Sequence, residues 1–206
     1  MLWPIPITMI QCTTAMGIIS FNPSYGPDLS SGAQHLITGG APLKEKPSSV
    51  NADGIFEPFS VDDVRWDEYS HGERFATRFR QLGEFGGCSH VGVCMEELAP
   101  GKQACPAHYH MLEEEHLLVL EGNATLRLGE KSFELSAGSY VCFPAGQKAG
   151  HALVNNGDAP CRYLIIGERN PHDVIVYTDS GRVGVRLTGE GYRKSATMEY
   201  WEGEDT

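Results

Sequence analysis

Four residues of this chain have the chemistry to hold a cation. His108, His110 and Glu115 stand close together in PAHYHMLEEEHLLVLEG (106–122), and His151 follows in PAGQKAGHALVNN (144–156). Imidazole nitrogens and a carboxylate oxygen are the donors that Fe(II), Mn(II), Ni(II) or Zn(II) accept. With four protein ligands, an octahedral ion keeps two positions for water, dioxygen or a chelating substrate. The same letters allow a plainer reading, because H-x-H recurs by chance and a Glu-Glu-Glu run is usually solvated. The elements that position these side chains bear on the choice.

Along a strand, residues two apart share a face, so His108 and His110 point together. Glu115 is five residues past His110, the wrong phase for one continuous strand. A bend in MLEE (111–114) lets a second strand start near Glu115. Glu115, Leu117 and Val119 then line an interior, while His116, Leu118 and Leu120 face outward. Tyr109, between the two histidines, faces away into packing. His151 opens a further strand with Leu153 and Asn155 on its own face. A run apolar on both sides suits a barrel wall covered outside by an arm or by a second subunit, so a homodimer is expected.

The surrounding pattern is β throughout. RFATRFRQL (74–82) and VGVCMEEL (91–98) alternate, and HLLVLEG, ATLRLGE, KSFELSAG, SYVCFPAG, HALVNNGD and CRYLIIGE follow at short intervals. EGNA, LGEK, SAGS and NNGD separate them as turns. With 24 glycines and 12 prolines and little helical period, the expectation is an antiparallel sandwich or barrel. Residues 1–54, rich in Pro, Gly, Ser and Asn, read as an extended or partly disordered N-terminal arm. Residues 55–180 read as the β-barrel domain and 181–206 as a C-terminal tail packing on it.

Several function classes are excluded. A formal charge of −11 with no basic patch argues against nucleic acid. The six cysteines (Cys12, Cys88, Cys94, Cys105, Cys142, Cys161) form no C-x-x-C pair and read as reduced thiols. The apolar first twenty residues carry Pro4 and Pro6 and no Lys or Arg before Lys44, unlike a secretion signal. No apolar run reaches the ~18 residues of a membrane span, so a cytoplasmic protein is expected. G-x-S-x-G and a Gly-rich phosphate loop are both missing, which removes the prerequisites of serine hydrolases, P-loop enzymes and Rossmann dehydrogenases.

Two segments resemble the signature motifs of the cupin superfamily. The first is Gly101, His108, His110, Glu115 and Gly122. The second is Gly138, Pro144, Gly146, His151 and Asn155. The chain departs in two loops: six residues rather than five separate Gly101 from His108, and four rather than two separate Gly146 from His151. Both changes leave the strand-borne residues in phase. The stretch from PAGQ to YTDS also resembles a group of bacterial single-domain cupins of unassigned function, whose barrel runs into a similar R-x-P-x-D…Y-x-D tail. The resemblance implies an all-β, antiparallel jelly-roll barrel with His108, His110, Glu115 and His151 as ligands of one divalent transition metal per chain.

Further residues are candidates for a pocket or for support of the ligands: Asn155, in phase with His151; Cys105, three residues before His108; Gln103, Phe143 and Tyr163, near the ligands; and Arg78 and Arg80, which share a face and could grip a substrate carboxylate. The expected function is metal-dependent chemistry on a small polar organic substrate. Dioxygenase chemistry is preferred, with Lewis-acid isomerase or lyase chemistry beside it. A non-catalytic ligand-binding or sensory barrel is the alternative.

Overall fold

The computed structural model describes residues 48–204. The arm assigned to residues 1–54 therefore lies mostly outside the described residues, as does Cys12. The described chain starts against the barrel, where the Ser49 N–H donates to the Phe85 carbonyl and a short bridge pairs Val50 with Phe56.

The all-β antiparallel architecture expected from the turn-punctuated sequence is found. The strands are β1 (Asp67–His71), β2 (Phe75–Gln81), β3 (Val91–Leu98), β4 (His108–His110), β5 (Glu115–Glu121), β6 (Asn123–Leu128) and β7 (Lys131–Ser136). They continue with β8 (Tyr140–Phe143), β9 (His151–Val154), β10 (Cys161–Glu168), β11 (Val174–Tyr177), β12 (Arg182–Val185) and β13 (Glu190–Arg193). One short helix, α1 (Leu82–Phe85), packs on β3. Two sheets form the jelly roll, one in the order β1-β2-β3-β10-β5-β8 and the other β13-β12-β11-β4-β9-β6-β7. Past residue 180, β12 and β13 extend the second sheet outward from β11.

Alternation along each strand builds the core. On β5, Glu115, Leu117 and Val119 are buried; on β10, Cys161, Tyr163 and Ile165 are buried. Each fully buried aliphatic side chain contributes about 1.5–3 kcal/mol from apolar surface removed from water. Gly122 links β5 to β6 with φ +76°, and a Cβ there would lie 2.5 Å from the Pro160 carbonyl oxygen. Glycine at this position is thus required twice, by the left-handed turn and by a close backbone approach.

The outer face of the six-stranded sheet carries two kinds of cross-strand row. An ion-pair ladder runs Arg78–Glu97–Arg162–Glu121. Beside it, register aligns Met95, Leu164, Leu118 and Tyr140 across four strands. Arg78 and Arg80 belong to this outer surface, the ordinary face that was the alternative to a grip on a substrate carboxylate. Both guanidiniums stack on Trp66, at 4.6 and 4.4 Å from its ring, and pair with Glu97 and Asp62. The reason is strand phase: Thr77 and Phe79 take the inward positions of β2.

Candidate metal centre

β4 is only three residues long, and the MLEE bend that follows it turns the chain so that β5 begins at Glu115. His151 opens β9 directly opposite His108, so the two side chains leave the sheet on the same side. Glu115 enters from the facing sheet, where its register partner on β10 is Gly167. A Cβ on Gly167 would lie 3.0 Å from Glu115 Cγ, so glycine there leaves room for the carboxylate. His108, His110, Glu115 and His151 are all buried. The ligand atoms of His108, His110 and Glu115 lie within 4.8 Å of one another. His151 Nε2 stands 3.1 Å from Glu115 Oε2, and its ring is 4.7 Å from that of His108.

Hydrogen bonds fix where the protons sit. His108 Nδ1 lies 2.7 Å from the Pro106 carbonyl oxygen, and His110 Nδ1 lies 2.6 Å from Asp173 Oδ2. An oxygen acceptor demands an N–H opposite it, so in each neutral ring the bare lone pair is on Nε2. Burial, with the neighbouring His151 and His110, holds His108 well below the usual imidazole range and hence neutral. For His110, burial works against the charge, but Asp173, Glu115 and Glu113 outweigh it and the pKa is raised. His108 Nε2, His110 Nε2 and Glu115 Oε1 are buried and meet no hydrogen-bond partner. Two bare imidazole nitrogens beside a buried carboxylate, whose Oε2 lies 3.1 Å from His151 Nε2 and 4.0 Å from His110 Nε2, form a donor cluster that is costly in a low-dielectric interior without a cation. The donor set and its geometry therefore fit a divalent transition metal.

A second layer reaches the site from the end of the chain. Asp173, fully buried, accepts from His110 and from the Leu112 N–H at 2.9 Å. Glu113 is equally buried and is gripped by both terminal nitrogens of Arg186, with the Asn170 N–H donating to it as well. Arg186 Nη2 also stands 3.7 Å from Asp173 Oδ2. One guanidinium thus serves two buried carboxylates. Glu113 and Asp173 also cluster with His110, but Arg186 already supplies the positive charge there. None of Glu113, Asp173 or Arg186 was singled out in the sequence. The signal was present, since Asp173 is the last residue of R-x-P-x-D.

The other candidates divide. Phe143 stacks on His151 with centroids 3.8 Å apart, which fixes that ring's plane. Cys105 Sγ is 3.7 Å from His108 Nδ1. Tyr163 donates to Glu96 Oε2 at 2.6 Å, and burial with the Glu96 charge keeps the phenol protonated. These three, with Glu96 and His151, line an interior cavity of about 20 Å³ beneath the site, enough for a single water. That space does not admit an organic substrate. Asn155 and Gln103 serve the backbone instead. Asn155 donates to the Leu98 and Ala159 carbonyls and accepts from Gly157 N–H. Gln103 donates to the Cys105 carbonyl and accepts from Arg74.

Comparison with known proteins points the same way. Residues 94–167 match the family described as Cupin domain. A solved structure named a sugar phosphate isomerase from a cupin superfamily, from Silicibacter pomeroyi, is 27% identical with a TM-score of 0.61, covering 71% of this chain and 98% of its own. Another, provisionally named a sugar phosphate isomerase, from Acidithiobacillus ferrooxidans, is 28% identical with a TM-score of 0.58, covering 60% of this chain and 80% of its own. No curated protein matches the chain.

Proposed function

From the match of residues 94–167 to the Cupin domain family, we propose that the protein is a metal-dependent enzyme that isomerises a small phosphorylated hydroxy-carbonyl compound of the sugar-phosphate class. The observation that carries the metal is the meeting of the buried donor atoms of His108, His110 and Glu115, with both imidazole Nε2 atoms unpartnered. The names of the two similar structures support the isomerase direction. The preference for oxygen chemistry drawn from the sequence has no such support, and it becomes the competing outcome of the test.

When bound, a divalent ion supplies Lewis-acid polarisation of a carbonyl or hydroxyl oxygen. The chain's own residues do the rest. His108, His110, Glu115 and His151 would hold the ion. Asp173 holds the proton on His110 Nδ1 and so keeps Nε2 facing the ion. Phe143 keeps His151 in plane. No described helix is long and apolar enough to cross a membrane.

The test starts with elemental analysis of protein purified without a chelating tag, where about one metal per chain is expected from the ligand count. A content near zero that stays so after reconstitution ends the metal reading. The loaded protein is then assayed by NMR for aldose–ketose interconversion on a panel of sugar phosphates, and by oxygen uptake on thiols, diketones and catechols. Interconversion lost on chelation and restored by metal is the expected result. Oxygen uptake without interconversion would transfer the function to the dioxygenase reading. Ligand binding without turnover would favour a binding or sensory barrel.

A further inference from the structure

All ten arginines of the chain lie among the described residues, and they fall into two sets. Eight bond an acidic or amide side chain. Arg182 and Arg193 meet no such partner among the described residues. They are register partners on β12 and β13. Like charges placed directly opposite across two strands repel one another. In a chain of net charge −11, no carboxylate among the described residues bonds either side chain.

Their position connects them to the metal centre. Register carries one row across five strands: Arg193, Arg182, Tyr177, His108 and His151. Directly opposed residues share a face, so the arginines stand on the sheet face that bears the histidines. The Arg182 guanidinium lies 4.1 Å over the Tyr177 ring, whose centroid is 5.8 Å from the His108 ring. In the adjoining row, Gly184 and Gly191 continue outward from Ile175, and with no side chains of their own they let the Tyr177 ring and the Arg182 stem lie close over them. The distance from His108 to Arg182 is two strand spacings, roughly 10 Å, comparable to the length of a short-chain sugar phosphate.

We propose that Arg182 and Arg193 form an anion subsite that takes the phosphate of the substrate while its carbonyl end reaches the metal centre. Two guanidiniums converging on one phosphate can offer it paired N–H donors, and a bound dianion offsets the like charge of the opposed pair. The carbonyl end of this arrangement rests on the function proposed above; the anion subsite is built from residues outside the metal cluster.

The test is 31P NMR titration of the full chain with inorganic phosphate, in metal-loaded and chelator-stripped forms, with metal content measured in parallel. Binding is expected in both forms, to weaken about tenfold or more in Arg182→Ala and in Arg193→Ala, as for loss of a charged hydrogen bond, and to survive in part in Arg182→Lys. Unchanged thermal midpoints would show that the variants fold. His110→Ala should lose metal and keep phosphate. Equal phosphate binding by wild type and both alanine variants, or no binding by the wild type, would overturn the subsite while leaving the metal reading intact. Phosphate binding that depends on the arginines in a chain that never takes up metal would sink the metal reading and keep the subsite.

Discussion

His110 can turn a bare Nε2 toward an ion because Asp173 occupies Nδ1 from 2.6 Å away. Removing that acceptor frees the ring to rotate and exchange tautomers. Asp173→Ala is therefore expected to weaken metal affinity about 10–100-fold, read by competition with a chromogenic chelator; an unchanged affinity would reduce Asp173 to a loop anchor for Leu112. A second residue-scale expectation concerns the thiols. Burial pushes Cys161 up to about 11, and it raises Cys94 further still, while Cys88 and Cys142 are exposed. Peptide mapping after maleimide treatment should find Cys88 and Cys142 modified, with Cys94 and Cys161 protected until the protein unfolds. The linkage has a definite sign. Between the ordinary thiol value of 9.0 and about 11 the unfolded chain has lost the Cys161 proton and the folded one keeps it, so stability should fall as pH rises through that window.

At the scale of elements, β4 is too short to hold its histidines by its own pairing and depends on β9 on one side and β11 on the other. The segment from β11 to β13 is thus part of the site as well as a cover for the sheet. Arg186, just past β12, ties that segment to Glu113 in the bend before β5. Arg186→Ala would leave Glu113 and Asp173 buried without their shared counter-charge. The expected cost is about 3–5 kcal/mol of stability, measured by urea denaturation, with metal affinity falling alongside. A loss below about 0.5 kcal/mol, ordinary for a surface change, would show that the clamp does not hold the bend.

For the molecule as a whole, two expectations follow. Metal uptake requires neutral imidazoles, and His110 is held above the ordinary 6.5 by its acidic neighbours. Protons should therefore begin to displace metal at a higher pH than an isolated imidazole would allow. Metal retained after dialysis between pH 8 and 5 should decline steadily on acidification; retention flat to pH 5 would contradict the proton assignment. The second concerns Leu164, Leu118 and Tyr140, which follow the already buried Met95 in one row of the outer sheet face. A row of this kind can pair with its own copy about a two-fold axis, so a homodimer is the proposed state. Light scattering at micromolar concentration should give twice the chain mass, and a monomer would leave that face to another cover.

Taken alone, the sequence determined what short-range periodicity can carry. Strand alternation placed His108 with His110 and set Glu115, Leu117 and Val119 against His116, Leu118 and Leu120. Turn residues marked the strands, and two ordered motifs pointed to the barrel and its donor set. Local spacing suffices there because a strand's two faces are fixed residue by residue. Tertiary structure alone decided the rest. It sent Arg78 and Arg80 to the outer face over Trp66, and it turned Asn155 and Gln103 to backbone partners. It also brought Asp173 and Arg186 to His110 and Glu113 across 63 and 73 residues of chain, and it aligned Arg182 and Arg193 with His108. Those contacts depend on which strands lie side by side and in what register, and that order comes from packing the whole sheet rather than from the spacing within any one strand.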